Sequence, residues 1–354
     1  MYMVATIHDV ALEAGVGIGT VSRVVNNSPR VKPVTRERVQ AAIDKLQYKP
    51  DPIARSMISK RTNSLGVIVP FFTRPFFMEV LRGVQARSAR LGRELVLYNV
   101  ETEAQRDHYF SELPMHRKVD GLLIVSLTPN DPVSRRLRDS GLAVVLIDAY
   151  SPMFTSLVVN NVEGAYQAVR HLIEKGHRRI GFINGEIEGN FKFNQANDRL
   201  IGLHRAFGEG GLLFEPELVL VSEWSRMGGK QSALQLLSQQ KRPTAIFAAS
   251  DMQAVGVLEA AKELGIAVPE QLSVIGFDGI EVSELLELST MRQPMQEMGE
   301  EGAARLVELI DNSAQMPELI RFDTRLVERH TTGPVPSNAF SIDAQNLLEK
   351  EAPR

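Results

Sequence analysis

From Ser64 onward short apolar runs alternate with amphipathic stretches, and this rhythm restricts the fold more than any other feature of the chain. Seven runs read as strands, over 65–70, 94–99, 121–126, 143–148, 179–184, 244–250 and 272–278. Helical spacing is expected near 76–91, 102–116, 130–140, 163–176, 197–209, 227–239, 252–264 and 297–312. The strand runs are continuously apolar rather than alternating, the pattern of strands covered on both faces. That predicts an α/β body built on parallel sheets. The number of strands suggests two such sheets rather than one. In sheets of this kind a ligand binds beyond the carboxyl ends of the strands, where polar residues converge. Asp148, Ser250, Asp251 and Asp278 stand at such ends.

The first fifty residues follow a different pattern. Two short amphipathic segments flank Gly15-Val16, the first expected to bury Ile7, Val10, Ala11 and Ala14, the second Val21, Val24 and Val25. Two helices joined by a short turn containing glycine form either a helix-turn-helix, whose second helix enters the major groove of DNA, or an ordinary helical hairpin. A third helix is expected over 35–46, capped by Thr35, with Val39, Ala42, Ile43 and Leu46 on one face. Residues 51–61 open with Pro52 near a helix start and are too few to hold a helix alone, which suggests a hinge that orders on a partner.

Charge separates the same two regions. Residues 1–62 carry ten Lys/Arg and five Asp/Glu, whereas the remainder carries thirty against thirty-eight. A basic head on an acidic body is the distribution expected when only the head approaches phosphates. There is no cysteine, which excludes disulfides and thiolate metal sites and fits a cytoplasmic protein. No apolar run nears the roughly 18 residues of a membrane span, and no export signal is visible.

The motifs ATIHDVA-x2-AGV, TVSRVVN, TRERV-x-AAI-x2-L-x-Y-x-P, ARS, VDGLL, HLIEKGHRRIGFI, RPTAIFAASD and VPEQLSVIGFD occur in this order over residues 5–333. Through them the chain resembles the lactose/galactose repressor family of bacterial transcription regulators. The resemblance implies a small all-α helix-turn-helix head (1–50) and a hinge (51–62). The body it implies has two doubly wound parallel-sheet lobes like a periplasmic sugar-binding protein. One lobe would be 63–162 with 294–322, the other 163–293 with 323–335, ahead of a loose tail, 336–354. It further implies a homodimer on a palindromic double-stranded DNA operator, controlled by a small effector between the lobes. A sugar is the expected effector class.

By that pattern Ile18, Gly19 and Arg23 reach base edges. An arginine can pair with guanine O6 and N7 at about 1–3 kcal/mol, and Ile18 either touches a thymine methyl or packs on the first helix. Thr20, Ser22 and Asn27 are the expected phosphate contacts. Gly17 replaces the usual serine at the start of the second helix, and Gly17 and Gly19 together lower its intrinsic helicity. In the hinge, Met57 takes the place of a leucine wedge into the minor groove, flanked by Ala54 and Arg55. For the effector the resemblance points to Phe76, Phe77, Asp148, Arg199, Trp224, Ser250 and Asp278. Arg199 is expected to begin a helix after a polar loop, 185–198, whose amides differ from the purine-repressor pattern.

A second control route in the family is a phosphorylated carrier protein bound along the first helix of the body, which here holds Arg82, Arg87, Arg90 and Arg93. Such a cluster suits phosphate or is simply a solvated face. No nucleophile elbow, phosphate loop, dinucleotide fingerprint or zinc-protease motif appears, so neither an enzyme nor a metal or cofactor is expected. His177 reads as a structural residue at a helix end.

Overall fold

The computed structural model describes residues 5–25, 28–48, 62–116, 118–186, 191, 193–312 and 314–336. Asn27, Ala54, Arg55 and Met57 lie outside them, as do the expected hinge and most of the tail. The chain divides into two compact units, Met1–Asn63 and Ser64–Arg354.

The first unit contains α1 (Ile7–Ala14), α2 (Ile18–Val25) and α3 (Pro33–Leu46). Thr6 starts α1 through a capping box. Its hydroxyl accepts from Asp9 N while its own N–H donates to the Asp9 carboxylate at 2.8 Å. Gly15 stops α1 in the left-handed region at φ 61°, a turn most side chains resist. Val10, Ala11, Ala14, Val21, Val24, Val39 and Ala42 form the core, with Ile7, Val25, Ile43 and Leu46 half-buried at its margin. The third helix begins earlier than its sequence suggests. Pro33 occupies the first turn, so Thr35 lies inside the helix and caps nothing.

Among the described residues the second unit carries twelve strands in two six-stranded sheets. The first sheet holds β1 (Ser64–Pro70), β2 (Glu94–Val100), β3 (Gly121–Val125), β4 (Ala143–Ile147), β5 (Thr155–Val159) and β11 (Leu319–Phe322), in the order β11-β5-β4-β3-β1-β2. The second holds β6 (Ile180–Gly185), β7 (Val219–Ser222), β8 (Ala245–Ala248), β9 (Ser273–Asp278), β10 (Ser289–Arg292) and β12 (Arg325–Val327), in the order β12-β10-β9-β8-β6-β7. Pairing is parallel except at the edge, where β12 runs antiparallel to β10. The purely parallel expectation fails there because β12 follows β11 after only two residues and enters the other sheet directly.

Helices α4 (Pro75–Arg90), α5 (Glu103–His116), α6 (Asp131–Asp139), α7 (Asn161–Glu174), α8 (Asn194–Glu209), α9 (Arg226–Leu237), α10 (Asp251–Glu263), α11 (Glu281–Leu285) and α12 (Met295–Asp311) accompany the strands. Each lobe has apolar clusters of its own, with Leu65, Leu123 and Ile147 in the first and Phe182, Phe247 and Phe277 in the second. Helices α4 and α12 pack backbone to backbone, since a Cβ on Gly83 would meet the Gln296 carbonyl and one on Gly299 the Val80 carbonyl. The chain passes between lobes three times, after β5, after β10 and after β11. Among the described residues no helix is long and apolar enough to cross a membrane.

His177 is buried and bonded on both ring nitrogens, to Thr244 at 2.9 Å and to Ser273 and the Gly333 carbonyl. It fastens the segment after β12 to the second lobe, in keeping with a structural role.

Candidate functional site

The head presents one face of α2 to solvent. Val21 and Val24 turn inward, leaving Ile18, Gly19 and Arg23 exposed and Thr20 and Ser22 half-buried at the flanks. Ile18 is 40% exposed, so packing onto α1 does not consume it. Arg23 makes no side-chain hydrogen bond or ion pair among the described residues. Gly17 lies just outside α2, where its carbonyl accepts the first helical N–H groups. Its helix-propensity cost therefore largely disappears, and only Gly19 weakens the helix interior. A Cβ on Gly19 would meet nothing within 4 Å.

In the second unit the strand ends build a cleft between the lobes. Phe76, Phe77, Asp148, Arg199, Trp224, Ser250 and Asp278 all line it. Arg74, Ser126, Phe193, Gln195, Met252 and Ile280 line it too. Phe77 is also part of the first lobe's core, whereas Phe76 is only partly buried. Ser126, Asp148 and Asp278 have φ values of 52°, 56° and 125°. Non-glycine residues adopt that region only when their surroundings force it, and such residues gather at ligand sites. Here the backbone turns sharply as each strand ends and aims the side chain into the cleft.

Asp148 accepts hydrogen bonds on Oδ2 from Ser126 Oγ at 2.6 Å and from Gln195 Nε2 at 2.5 Å, and Gln195 also donates to its carbonyl. Because Asp148 follows β4 and Gln195 stands on α8, this is a bond between lobes. Burial pushes the Asp148 carboxyl up to about 6, against the pull of Ser126 and Arg199. A carboxyl raised in the folded state contributes stability that is complete below its unfolded value and is lost as pH rises through about 6. Asp148→Asn is therefore expected to flatten the fall in melting temperature between about pH 4 and 6. Parallel pH profiles of variant and wild type across that window would contradict this assignment.

Arg199 is enclosed. Its Nε donates to Asn161 Oδ1 at 3.0 Å, its Nη1 donates to the Ala249 carbonyl, and its guanidinium lies 3.8 Å from the Phe277 ring centre and 5.4 Å from that of Trp224. The helix carrying it starts five residues earlier than its sequence suggests. Asn194 and Gln195 form the first turn of α8, so Arg199 sits in its second turn. Asp278 accepts from Gln293 Nε2 at 2.7 Å. Burial lowers Arg199 and raises Asp278, while the opposite charges of this pair oppose both shifts.

Trp224 lies flat against Gly185, where a Cβ would stand 1.9 Å from its ring. Its Nε1 and the Gln195 Oε1 are buried with no hydrogen-bond partner among the described residues. Ser250 lines the cleft, but its hydroxyl caps α10, accepting from Gln253 N and donating to Gln253 Oε1. Asp251 stands behind the cleft. It accepts from Gly279 N and Ile280 N at 2.7 and 2.9 Å and from Thr290 Oγ1, fixing the turn that aims Asp278. Burial and the neighbouring Asp278 charge raise its carboxyl.

Ser126 is missing from the residues that the sequence places at the site, and Gln195 enters only as one of the amides of the polar loop 185–198. Ser126 is a polar residue at a strand end, the signal that found Asp148 and Asp278, whereas Gln195 falls in a polar stretch that reads as loop. On α4, Arg82 pairs with Glu79 and Arg90 with Glu300, both at 2.7 Å, and Arg93, beyond the end of α4, pairs with Asp120 at 3.2 Å. Three of the four arginines suggested for a phosphate are thus already matched by carboxylates.

The profile for bacterial regulatory proteins of the lacI family matches residues 6–51, and that for a periplasmic binding protein-like domain matches residues 169–332. Catabolite control protein A of Priestia megaterium is 32% identical over 330 residues, covering 90% of this chain and 98% of the relative. The HTH-type transcriptional repressor PurR of Shigella sonnei is 33% identical over 338 residues, covering 94% and 98%. Among solved structures, the lac repressor dimer bound to operator and the anti-inducer ONPF superposes with a TM-score of 0.82 at 27% identity, covering 94% of this chain and all of that one. The transcriptional regulator CelR in complex with cellobiose does so with a TM-score of 0.69 at 30% identity, covering 92% and 99%. A three-helix head with an open recognition face, two parallel-sheet lobes around a polar cleft, and relatives matched over nearly their whole length lead to one conclusion: the chain belongs to the LacI family of bacterial regulatory proteins and is a DNA-binding transcriptional repressor.

Proposed function

We propose that this repressor binds a palindromic operator as a homodimer, one head per half-site, and that a sugar or sugar derivative in the interlobe cleft sets its affinity for DNA. The observation that carries the effector class is that Arg199, Asp148 and Asp278 line the same cleft as the Trp224 ring. A sugar hydroxyl both donates and accepts, so it is served by a cation and a carboxylate together, and the apolar face of a sugar ring suits a flat indole. The operator-bound lac repressor and the cellobiose-bound regulator support the two halves of this reading.

Arg23 is the proposed base reader, with Ile18 and Gly19 beside it and Thr20, Ser22 and Asn27 on phosphates. Ala54, Arg55 and Met57 are proposed to enter the minor groove on sequence grounds alone. We read the cleft as a binding site, in line with relatives that are transcriptional regulators. Arg82, Arg90 and Arg93 are already matched by carboxylates, which weakens the case for control by a phosphorylated carrier protein.

A gel-shift titration with and without sugars tests the whole. Operator affinity should fall about 10³-fold or more between 50 and 200 mM salt, as counterion release requires for six or more phosphate contacts. At fixed salt, one sugar should move it again. Salt-insensitive or absent duplex binding would sink the DNA half of the proposal.

A further inference from the structure

A groove lies where the chain crosses between the lobes after β10 and β11, and it shares no lining residue with the effector cleft. Five carboxylates and three arginines line it. Arg82 is taken up by Glu79 and Arg292 by Glu284. Glu281, Glu297 and Asp323 make no side-chain hydrogen bond or ion pair among the described residues, and of the lining arginines Arg325 remains to face them. Three carboxylates against one arginine leave the groove negative. A place in the first turn of a helix accounts for Glu281 and Glu297, whose charges suit the helix N-termini. It accounts for neither Asp323 nor Gln293.

Gln293, the residue after β10, is the second sign of a ligand. It lines the groove and is 3% exposed. Its Nε2 is committed to Asp278 Oδ1 at 2.7 Å, while its Oε1 is buried and finds no partner among the described residues. A buried amide oxygen left unbonded is costly, so this one calls for a donor from whatever fills the groove.

The lining selects the ligand class. Carboxylates and an amide oxygen only accept, so the ligand must bring N–H donors and positive charge. Among the described residues no group of carboxylates or imidazoles is placed to hold a metal ion. Acceptors drawn from separate elements suit instead a chain of separated ammonium groups, each with two or three donors.

We propose that this groove binds a linear aliphatic polyamine, with its ammonium groups on Glu281, Glu297 and Asp323 and one N–H donated to Gln293 Oε1. Glu281 follows β9 of the second lobe and Glu297 lies on α12 of the first, so the bound polyamine spans both. It also steadies Gln293, and through it the Asp278 carboxylate that lines the effector cleft.

Calorimetric titration of the full-length chain with spermidine, putrescine and magnesium chloride tests this, at low salt because exposed carboxylates are screened. Spermidine should bind at one site per chain and about tenfold more tightly than putrescine, since its third ammonium group engages the third carboxylate. Glu297→Gln and Asp323→Asn, both at exposed positions, should each weaken spermidine about three- to fivefold. Gln293→Leu should weaken it about tenfold or more, as expected for a lost hydrogen bond to a charged donor. Glu270→Gln removes an exposed carboxylate outside the groove and should leave binding within about twofold. The two exposed groove variants decide the matter if Gln293→Leu folds poorly. No saturable binding, weak binding at several sites lowered equally by Glu270→Gln, or affinity unchanged in every groove variant overturns the proposal. Displacement of spermidine by an equal concentration of magnesium overturns it too, since the site would then be one for a metal ion. None of these outcomes bears on the effector cleft.

Discussion

Arg199→Ala should destabilise the body by about 3–5 kcal/mol near neutral pH and abolish the response of DNA binding to effector. Arg199 is 3% exposed, and its guanidinium holds Asn161 Oδ1 and the Ala249 carbonyl while facing Asp148 and Asp278. Alanine would strand those acceptors and leave the buried carboxyls without their cation. Removing one partner of a buried charge cluster costs far more than the cluster contributes as a whole, because the remaining charge stays desolvated. The Phe277 and Trp224 rings would also lose the plate that lies between them. Urea unfolding of the variant gives the stability. Gel shifts with and without the active sugar give the function, and operator binding without sugar should survive. A loss under about 1 kcal/mol would mean that the cluster is held by something other than this arginine.

Arg23→Ala carries the largest expected effect on the head. A bidentate arginine–guanine pair is worth about 1–3 kcal/mol, so each half-site loses roughly ten- to a hundredfold in discrimination at one base pair, and the dimer loses it twice. The fold of the head should be untouched, because Arg23 is exposed and its core neighbours are Val21 and Val24. Competition with operators altered at single symmetric positions separates the outcomes. Relaxed preference at one position identifies base readout. Uniform weakening of all sequences would make Arg23 a phosphate contact and leave recognition to Ile18 and to operator shape.

How much of this was legible in the sequence varied with how each element is stabilised. The interior strands β1, β3, β4, β6, β8 and β9 announce themselves because burial on both faces demands continuous apolar runs, and the edge strand β2 is legible too. The interior strands β5 and β10 are not, because Thr155-Ser156 and Ser289-Thr290 interrupt their apolar runs, and the other three edge strands are not either. β7, β11 and β12 are short and half-exposed, and what defines them is the neighbour each pairs with rather than any pattern of its own. The start of α8 was missed for a related reason, since Asn194 and Gln195 are polar and look like loop until the cleft that they line is known. Among cleft residues, Asp148 and Asp278 follow from the rule that ligands gather at strand ends. The same rule also raises Asp251, whose carboxylate instead braces a turn behind the cleft, and it says nothing of Gln195, whose partner is 47 residues away in the other lobe.

The three passages of chain between lobes bear on how the protein comes to be folded at all. The first lobe is not a continuous stretch of sequence. Its edge strand β11 and the helix α12 that seats against α4 are supplied by residues 295–322, after the whole second sheet except β12 has been made. During synthesis, β1 to β5 must therefore wait with an unpaired edge at β5 and an uncovered apolar face where Leu123 and Ile147 await α12. Unpaired edges and bare apolar faces are what make partly folded chains associate. Truncations ending anywhere before β11 should consequently behave as aggregation-prone fragments rather than as a smaller soluble domain. The two lobes are obliged to complete each other before either is a finished fold.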